Sequence, residues 1–434
     1  MADMGDSRMK RKAGLVLRLF LALLGLFCCY RLVVGAATAG LSRLLSTTAI
    51  VQSKVGPADV AVRFAPGDPE AHYTRALALV NLQRLDEAVA ELHEATRLRP
   101  HHYYEWLDLG VTLDRLGDQL AAVDALRESV RLAPSFAQPR WQLGNILYRQ
   151  GRYQEAFAEL RLGAQSNPLL APGLIELAWV AADGDVGTVE ALVEARSGRR
   201  HFELASFLAK QGKGADAARH VREAGEPRDA GESAILHQTI SSLLAAEQFY
   251  DAYRTWAAAH HLTVDSGATS SAQFFNGNFV EPIMQDDPGF GWQLPAVPNV
   301  SASIDPSGPS PDTRSIRLQF TGDNAPGSQL LHQLVLLQPN SRYSLSFMAR
   351  AEDLVSGGPP VIRALSGAGQ TTKILGQSVP LSPGTSGWSP YKIDFSTDEN
   401  SSAVVIALQR LACTQSPCPI FGKLWLSGFS LGKT

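Results

Sequence analysis

Four sets of side chains in this 434-residue chain have types that could do chemistry. Asp286-Asp287 and Glu352-Asp353 are paired carboxylates, the groups with which a glycosidase works as acid and base. Such an enzyme holds its two carboxyls roughly 5–10 Å apart across a cleft, which neighbours in one loop do not do. They read as solvated turns. His101-His102 and His260-His261 offer imidazoles, but zinc on a helix wants HExxH-like spacing with further ligands, and both pairs fall at helix–helix turns. Cys413 and Cys418 flank Thr-Gln-Ser-Pro, and in an exported domain two thiols five apart across a proline turn close a small disulfide. With no second cysteine pair beside them, they are not expected to hold metal. The chain has no Walker loop, no GxSxG and no phosphate-cradling glycine run. The expectation is a binding protein with no catalytic residue, cofactor or metal.

Length and charge bound the elements that carry these groups. A chain of this length holds two or three domains, each large enough to bury a core. A hydrophobic fraction of 45% excludes a disordered chain and a polytopic membrane protein, and a net charge of −3 argues against nucleic acid as partner. Four cysteines exclude a disulfide-dense scaffold. The near-neutral total hides segregation. Residues 1–40 carry six Lys/Arg against two Asp/Glu, residues 41–273 carry 23 against 29, and residues 274–434 carry 10 against 11.

The basic excess surrounds the most apolar stretch. Arg8, Lys10, Arg11 and Lys12 precede an apolar run from Ala13 to Gly40 that is interrupted only by Arg18 and Arg31. On a helix those two arginines stand about 20 Å apart, so each can snorkel to its own interface. The positive flank holds the N-terminus in the cytoplasm and sends the remainder outside. Residues 1–40 thus read as a basic tail and membrane anchor, crossing through residues 13–36. A cleavable signal peptide is the competing reading, because Ala37-Thr38-Ala39 has the form of a cleavage site. Cys28 and Cys29 read as apolar membrane residues.

Self-similarity dominates the next segment. Pro66, Pro100, Pro134 and Pro168 recur every 34 residues. Ala88, Ala122 and Ala156 share one position, Leu92, Leu126 and Leu160 another, and Leu109-Gly110 matches Leu143-Gly144. Two amphipathic helices need small residues where they cross closely, large ones to fill the gaps, and a proline to stop the second helix. The pattern Trp106-x-x-Leu109-Gly110-x-x-Leu113…Gly117…Ala122…Leu126…Pro134 resembles the tetratricopeptide repeat. Degenerate units at His201–Ala224 and Leu236–Ala259 extend the array to about six helix pairs over residues 57–262, with Leu169–Arg200 a poorly matching pair. The resemblance implies an all-α solenoid whose first helices line a protein-binding groove. Carried over, its lining residues are Tyr73, Leu77, Tyr104, Asp114, Arg115, Trp141, Asn145, Tyr148 and Arg149. Trp141 and Tyr148 have a second reading, as packing between repeats.

After a Ser/Thr/Gly-containing linker, residues 263–273, the texture becomes β-rich. Eight runs separated by turn residues begin with Ser315–Phe320 and end with Leu424–Leu431, and Tyr343, Leu345, Phe347 and Ala349 alternate onto one face. Regular spacing of this kind indicates an all-β sandwich over residues 274–434. The landmarks Asn276-Gly-Asn-Phe279, Gly289-Phe-Gly-Trp292, Trp388-Ser-Pro-Tyr391 and Leu424-Trp-Leu-Ser-Gly-Phe resemble the jelly-roll carbohydrate-binding modules attached to glycoside hydrolases. The resemblance implies glycan as a ligand and makes Trp292, Trp388 and Tyr391 candidate stacking platforms, with core packing as the other reading. Val280 and Ser427-Gly428 stand where those modules carry acidic residues, so the usual calcium site is incomplete.

The expected protein is therefore multidomain: a transmembrane helix, a tetratricopeptide solenoid and a jelly-roll sandwich. Its expected place is the bacterial inner membrane, single-pass, with the C-terminal part periplasmic. There it would bind envelope proteins, and polysaccharide through the sandwich, in surface polysaccharide assembly or export. The alternative is a general periplasmic or chaperone-like interaction protein whose sandwich is purely structural.

Overall fold

The structure, a computed structural model, describes residues 3–52, 55–262, 274–284, 287–367, 373–399, 402–413 and 417–434. The expected linker 263–273 and Asp286 lie outside the described residues. The chain divides into two compact units, Met1–Glu194 and Ala195–Thr434. The division falls inside the helical region, so the last four helices share a unit with the β-sandwich.

The first unit opens with α1 (Asp3–Gln52), followed by α2 (Val55–Phe64). Four helix pairs succeed them: α3 (Pro69–Asn81) with α4 (Leu85–Leu98), and α5 (Tyr103–Leu116) with α6 (Gln119–Leu132). Next come α7 (Ala137–Arg149) with α8 (Tyr153–Ser166), and α9 (Ala171–Ala181) with α10 (Val186–Val193). The helices α3, α5, α7 and α9 begin 34 residues apart, which is the period of the prolines. Each of Pro66, Pro100, Pro134 and Pro168 stands two residues beyond the end of a second helix, where its missing N–H and fixed φ prevent continuation.

The pairs α5–α6 and α7–α8 each keep their shape through one close crossing. A Cβ placed on Gly110 would lie 2.6 Å from Leu126 Cγ and 3.1 Å from the Ala122 carbonyl. One on Gly144 would lie 2.6 Å from Leu160 Cγ and 3.1 Å from the Ala156 carbonyl. Only glycine lets the helix backbones approach this closely, and Leu126 and Leu160 fill the space so created. Gly117, at φ 96°, ends α5 in the left-handed conformation that a side chain would strain.

Within α1, Leu21–Leu45 is long and apolar enough to cross a membrane. The same test is passed by signal sequences. Thr38 satisfies its hydroxyl inside the helix, on the Gly35 carbonyl (3.0 Å). The helix continues past that region to Gln52, and buried Ser42 donates to Asp68 Oδ2 (3.0 Å), the residue that caps α3.

The second unit begins with α11 (Gly198–Lys210), α12 (Gly214–Ala224), α13 (Ala230–Ala245) and α14 (Phe249–Ala259). Among the described residues its sandwich has nine strands: β1 (Val300–Asp305), β2 (Ser315–Asp323), β3 (Leu331–Leu336), β4 (Arg342–Ser356), β5 (Pro360–Ser366), β6 (Ile374–Gln377), β7 (Gly384–Ser396), β8 (Ala403–Arg410) and β9 (Pro419–Lys433). They form an antiparallel sheet β1-β2-β9-β4-β7 facing an antiparallel sheet β3-β8-β5-β6. This is the jelly roll expected from the strand pattern. Tyr343, Leu345, Phe347 and Ala349 all enter its core, as their alternation requires. The sequence pattern does not reveal β1: Val300-Ser-Ala-Ser-Ile-Asp lies on a sheet edge and buries no residue fully, so it lacks the alternation that marks a strand.

The helices and the sandwich meet at Trp256 of α14, a fully buried side chain. Its indole N–H donates to Asp287 Oδ2 (2.9 Å), and His260 Nε2 lies 3.1 Å from the same oxygen. Phe275 and Phe290 pack on the ring at 5.0 and 5.8 Å, and a Cβ on Gly289 would come within 2.8 Å of it. Asp287, read from sequence as part of a solvated turn, is therefore buried, and His260, read as part of a helix–helix turn, is its half-buried partner. The reading fails because the Asp287 loop folds back on a helix 31 residues earlier, which no local spacing reveals. Replacing Trp256 by Ala is expected to destabilise this unit by about 3–5 kcal/mol. Differential scanning calorimetry checks this: the transition of the second unit should fall while that of the first stays in place.

Candidate interaction surfaces

The sequence-predicted groove residues stand on α3, α5 and α7, the first helices of successive pairs. The structure joins several of them across repeats. Tyr73 donates its hydroxyl to Asp108 Oδ2 (2.6 Å), and its ring lies 5.0 Å from that of Tyr104. Arg149 Nη2 donates to Asp114 Oδ2 at 2.5 Å, and Arg115 Nη2 donates to Gln83 Oε1 at 3.0 Å. The Tyr73–Asp108 and Asp114–Arg149 pairs both span 35 residues, so each ties a first helix to the next. Exposed Arg115 and Arg149 and half-buried Leu77, Tyr104 and Asn145 remain within reach of solvent.

Two predicted groove aromatics serve packing. The Trp141 ring lies over Gly173 of α9, where an added Cβ would sit 3.3 Å from the ring carbons. Tyr148 packs on Tyr153 at 5.4 Å and Phe157 at 6.1 Å, inside its own pair. Burial pushes the Tyr73 and Tyr148 phenols up, and burial also pushes up the Asp108 carboxyl.

Beneath Tyr104 lies a group that sequence reading missed. Glu105, in the first turn of α5, has a fully buried side chain whose Oε1 is 3.2 Å from Arg99 Nη1. Arg99 also donates to Tyr104 (2.9 Å) and to Glu70 (3.3 Å), so one guanidinium serves three neighbours. Burial pushes the Glu105 carboxyl up to about 7, against the opposing pull of Arg99. A carboxylate at this helical position looks exposed on amphipathic grounds; only the stacking of the preceding pair covers it.

In the sandwich the three stacking candidates separate. Trp292 lies in the core at 3% exposure, 5.2 Å from Phe279 and 5.7 Å from Phe274, both stacked on it, and donates its N–H to the Asn276 carbonyl (3.1 Å). Its faces are covered, so it offers no platform to a sugar. Tyr391 stacks on Phe347 at 5.4 Å, with its hydroxyl accepting from the Ser382 N–H (3.2 Å). Trp388 is half-buried on β7, an edge strand. A further tryptophan, not singled out by sequence, faces away from the core because its neighbours Leu424 and Leu426 face into it. This is Trp425, with Arg350 4.7 Å above its ring and its N–H donated to Asp305 Oδ2 (2.9 Å). Hydrogen bonds from Ser307 and then Trp425 hold the Asp305 carboxyl down at about 2.

Where the jelly-roll modules carry acidic residues, this chain uses neutral contacts. Ser427 donates its hydroxyl to the Arg314 carbonyl (2.5 Å), and Asn276 closes its own loop through the Glu281 N–H (3.0 Å) and carbonyl (2.7 Å). That donor set does not fit calcium, which needs carboxylates among its ligands. Cys413 and Cys418 are joined in a disulfide, with Cα atoms 5.7 Å apart. Buried Arg410 packs beside it, donating to the Cys418 carbonyl (2.7 Å) and to Asn324 Oδ1 (2.8 Å).

Residues 73–137 and 107–169 each match the tetratricopeptide repeat family model. The helix pairs within residues 73–169 are tetratricopeptide repeats. No curated protein matches the chain at a significant level. Among solved structures the chain is similar to MamA 41-end from Desulfovibrio magneticus RS-1, at 20% identity over 43% of this chain and 93% of that one, with a TM-score of 0.28. It is similar to PilW, a widely conserved type IV pilus biogenesis factor, at 15% identity over 43% and 91% with a TM-score of 0.32. Similarity to a CBM4 structure stands at 14% identity over 37% and 100%, with a TM-score of 0.28. A tetratricopeptide array is a protein-interaction scaffold, stabilised repeat by repeat.

Glu105 gives the array a pH signature. Its folded pKa lies above the unfolded value, so the unfolded chain loses this proton first as pH rises, and stability falls between about pH 4.5 and 7. The variant E105Q should flatten that decline. Urea unfolding of the tetratricopeptide unit, followed by circular dichroism at several pH values, measures it.

Proposed function

We propose that this protein is a membrane-anchored, non-catalytic scaffold on the outer side of the bacterial inner membrane. Its tetratricopeptide groove would hold an envelope protein and its sandwich would meet glycan, in the assembly or export of a surface polysaccharide. The observation that carries the anchor is the continuity of α1. The helix runs unbroken from Asp3 to Gln52, through Ala37-Thr38-Ala39, and its buried Ser42 bonds the cap of the first repeat. A segment built into the solenoid in this way suits retention better than removal. Basic residues before the span favour a cytoplasmic N-terminus, and the Cys413–Cys418 disulfide favours an oxidising compartment for the rest.

The groove reading rests on Tyr104, Arg115 and Arg149, which combine aromatic surface with forked donors, the residues that dominate protein interfaces. The glycan reading rests on half-buried Trp388 on the edge strand β7, because the Trp425 ring is buried under Arg350. A chaperone-like protein with a purely structural sandwich is the second reading, favoured by the burial of Trp292 and the packing of Tyr391.

Three measurements on the full chain test these statements. N-terminal sequencing of the membrane-extracted protein should begin at or near Met1; a start after Ala39 would refute the anchor. A photo-crosslinker at Leu77 or Asn145 should capture one envelope protein in cells, and Y104A/R115E should reduce that capture at least about tenfold. On a glycan array the chain should retain a polysaccharide and W388A should lose it, whereas no retention leaves the structural-sandwich reading standing.

A further inference from the structure

The hairpin formed by α11 and α12 brings together three donors that sequence spacing does not advertise. His201 sits in the first turn of α11, and His220 and Glu223 share one face of α12 at i, i+3. Antiparallel packing places the start of α11 beside the end of α12, at the open end of the hairpin. His201 Nδ1 and His220 Nδ1 are 3.0 Å apart. Glu223 Oε2 lies 3.3 Å from the first and 3.2 Å from the second. Three ligand atoms thus form a nearly equilateral triangle.

Hydrogen bonds among these three groups do not satisfy every edge of that triangle. If both Nδ1 atoms carry protons toward the carboxylate, two N–H groups oppose each other at 3.0 Å. If only one does, the bare Nδ1 of the other faces a carboxylate lone pair at 3.2 or 3.3 Å. Among these three atoms, every arrangement of two neutral imidazoles with an ionised carboxylate leaves one contact between like poles. A cation seated over the triangle satisfies all three at once.

We propose that His201, His220 and Glu223 bind a divalent transition-metal ion of the zinc class. A four-coordinate zinc ion, with bonds of about 2.0–2.1 Å, separates its ligand atoms by about 3.3–3.4 Å, close to all three observed edges. Two imidazoles with one carboxylate select zinc-like ions over calcium and magnesium, which take oxygen ligands. His220 is buried and fixed by the hairpin, while Glu223 is half exposed and closes the site from the solvent side. Arg219 holds the other carboxylate oxygen, 3.5 Å from Glu223 Oε1, and so keeps Oε2 turned toward the imidazoles. Three protein ligands leave the fourth position to water. The ion acts as a clip across the open end of the hairpin, where the helices have no covalent connection.

The test uses the full chain, purified in detergent without a polyhistidine tag and stripped with a chelator. Titration with Co²⁺ should give the intense visible bands of a four-coordinate ion at one equivalent, and Zn²⁺ should abolish them by displacement. Zinc should also raise the melting temperature of the second unit. H201Q, H220Q and E223Q should each weaken binding at least about tenfold. E223Q, whose side chain is the most exposed, should keep the melting temperature of the metal-free parent, which separates ligand loss from misfolding. Absence of the cobalt bands, or bands and affinity unchanged in all three variants, overturns the proposal.

Discussion

The hydrogen bond from Trp256 to Asp287 is the contact on which the second half of the molecule turns. A helical array cannot end in solvent with its last apolar face open, because each pair buries its surface only against a neighbour. Here α14 has no further pair to receive it, and the segment leading into the sandwich takes that place. The indole fills a pocket made by Phe275, Phe290 and Gly289, and its one polar atom is satisfied by a carboxylate that His260 also holds. An apolar face and a polar tip met together make such a junction specific. The sandwich is in this sense the cap of the helices that precede it, whatever else it binds.

The tetratricopeptide repeats obey a different constraint, the close approach of two helix backbones in the α5–α6 and α7–α8 pairs. Gly110 and Gly144 admit Leu126 and Leu160 at distances that any side chain would forbid. Because the same crossing recurs every 34 residues, lateral contacts recur too. Tyr73–Asp108 and Asp114–Arg149 therefore link first helices at the same separation. A partner at the proposed groove would meet polar groups already held by their neighbours, Arg115 and Arg149 among them, which favours recognition by shape over simple charge attraction.

Charge and burial also divide the two candidate surfaces of the chain. On the repeats, burial is enough to lift a carboxyl such as Glu105, while on the outer sheet face hydrogen bonds hold Asp305 low. The first is a group kept from water by the stacking of repeats. The second remains ionised and presents fixed charge beside Trp425 and Arg350. The Asp305 carboxylate is spent on Trp425 and Ser307, whereas the Glu105 carboxyl lies beneath Tyr104 beside Arg99.

Much of this protein is legible in its sequence because its architecture is periodic. A repeat of 34 residues writes its helix starts, its proline stops and its glycine crossings into local spacing, and strand alternation does the same for the faces of the jelly roll. Those readings depend on neighbours a few residues apart, so one chain suffices to make them. The edge strand β1, buried on neither face, had no such signal. What the tertiary structure alone decided are meetings between residues with no periodic relation. Trp256 found Asp287, Arg350 covered Trp425, Trp292 withdrew into the core, and His201 came beside His220 and Glu223. Each depends on how one element is laid against another, and that choice is made by burial of whole faces, not by the local residue pattern.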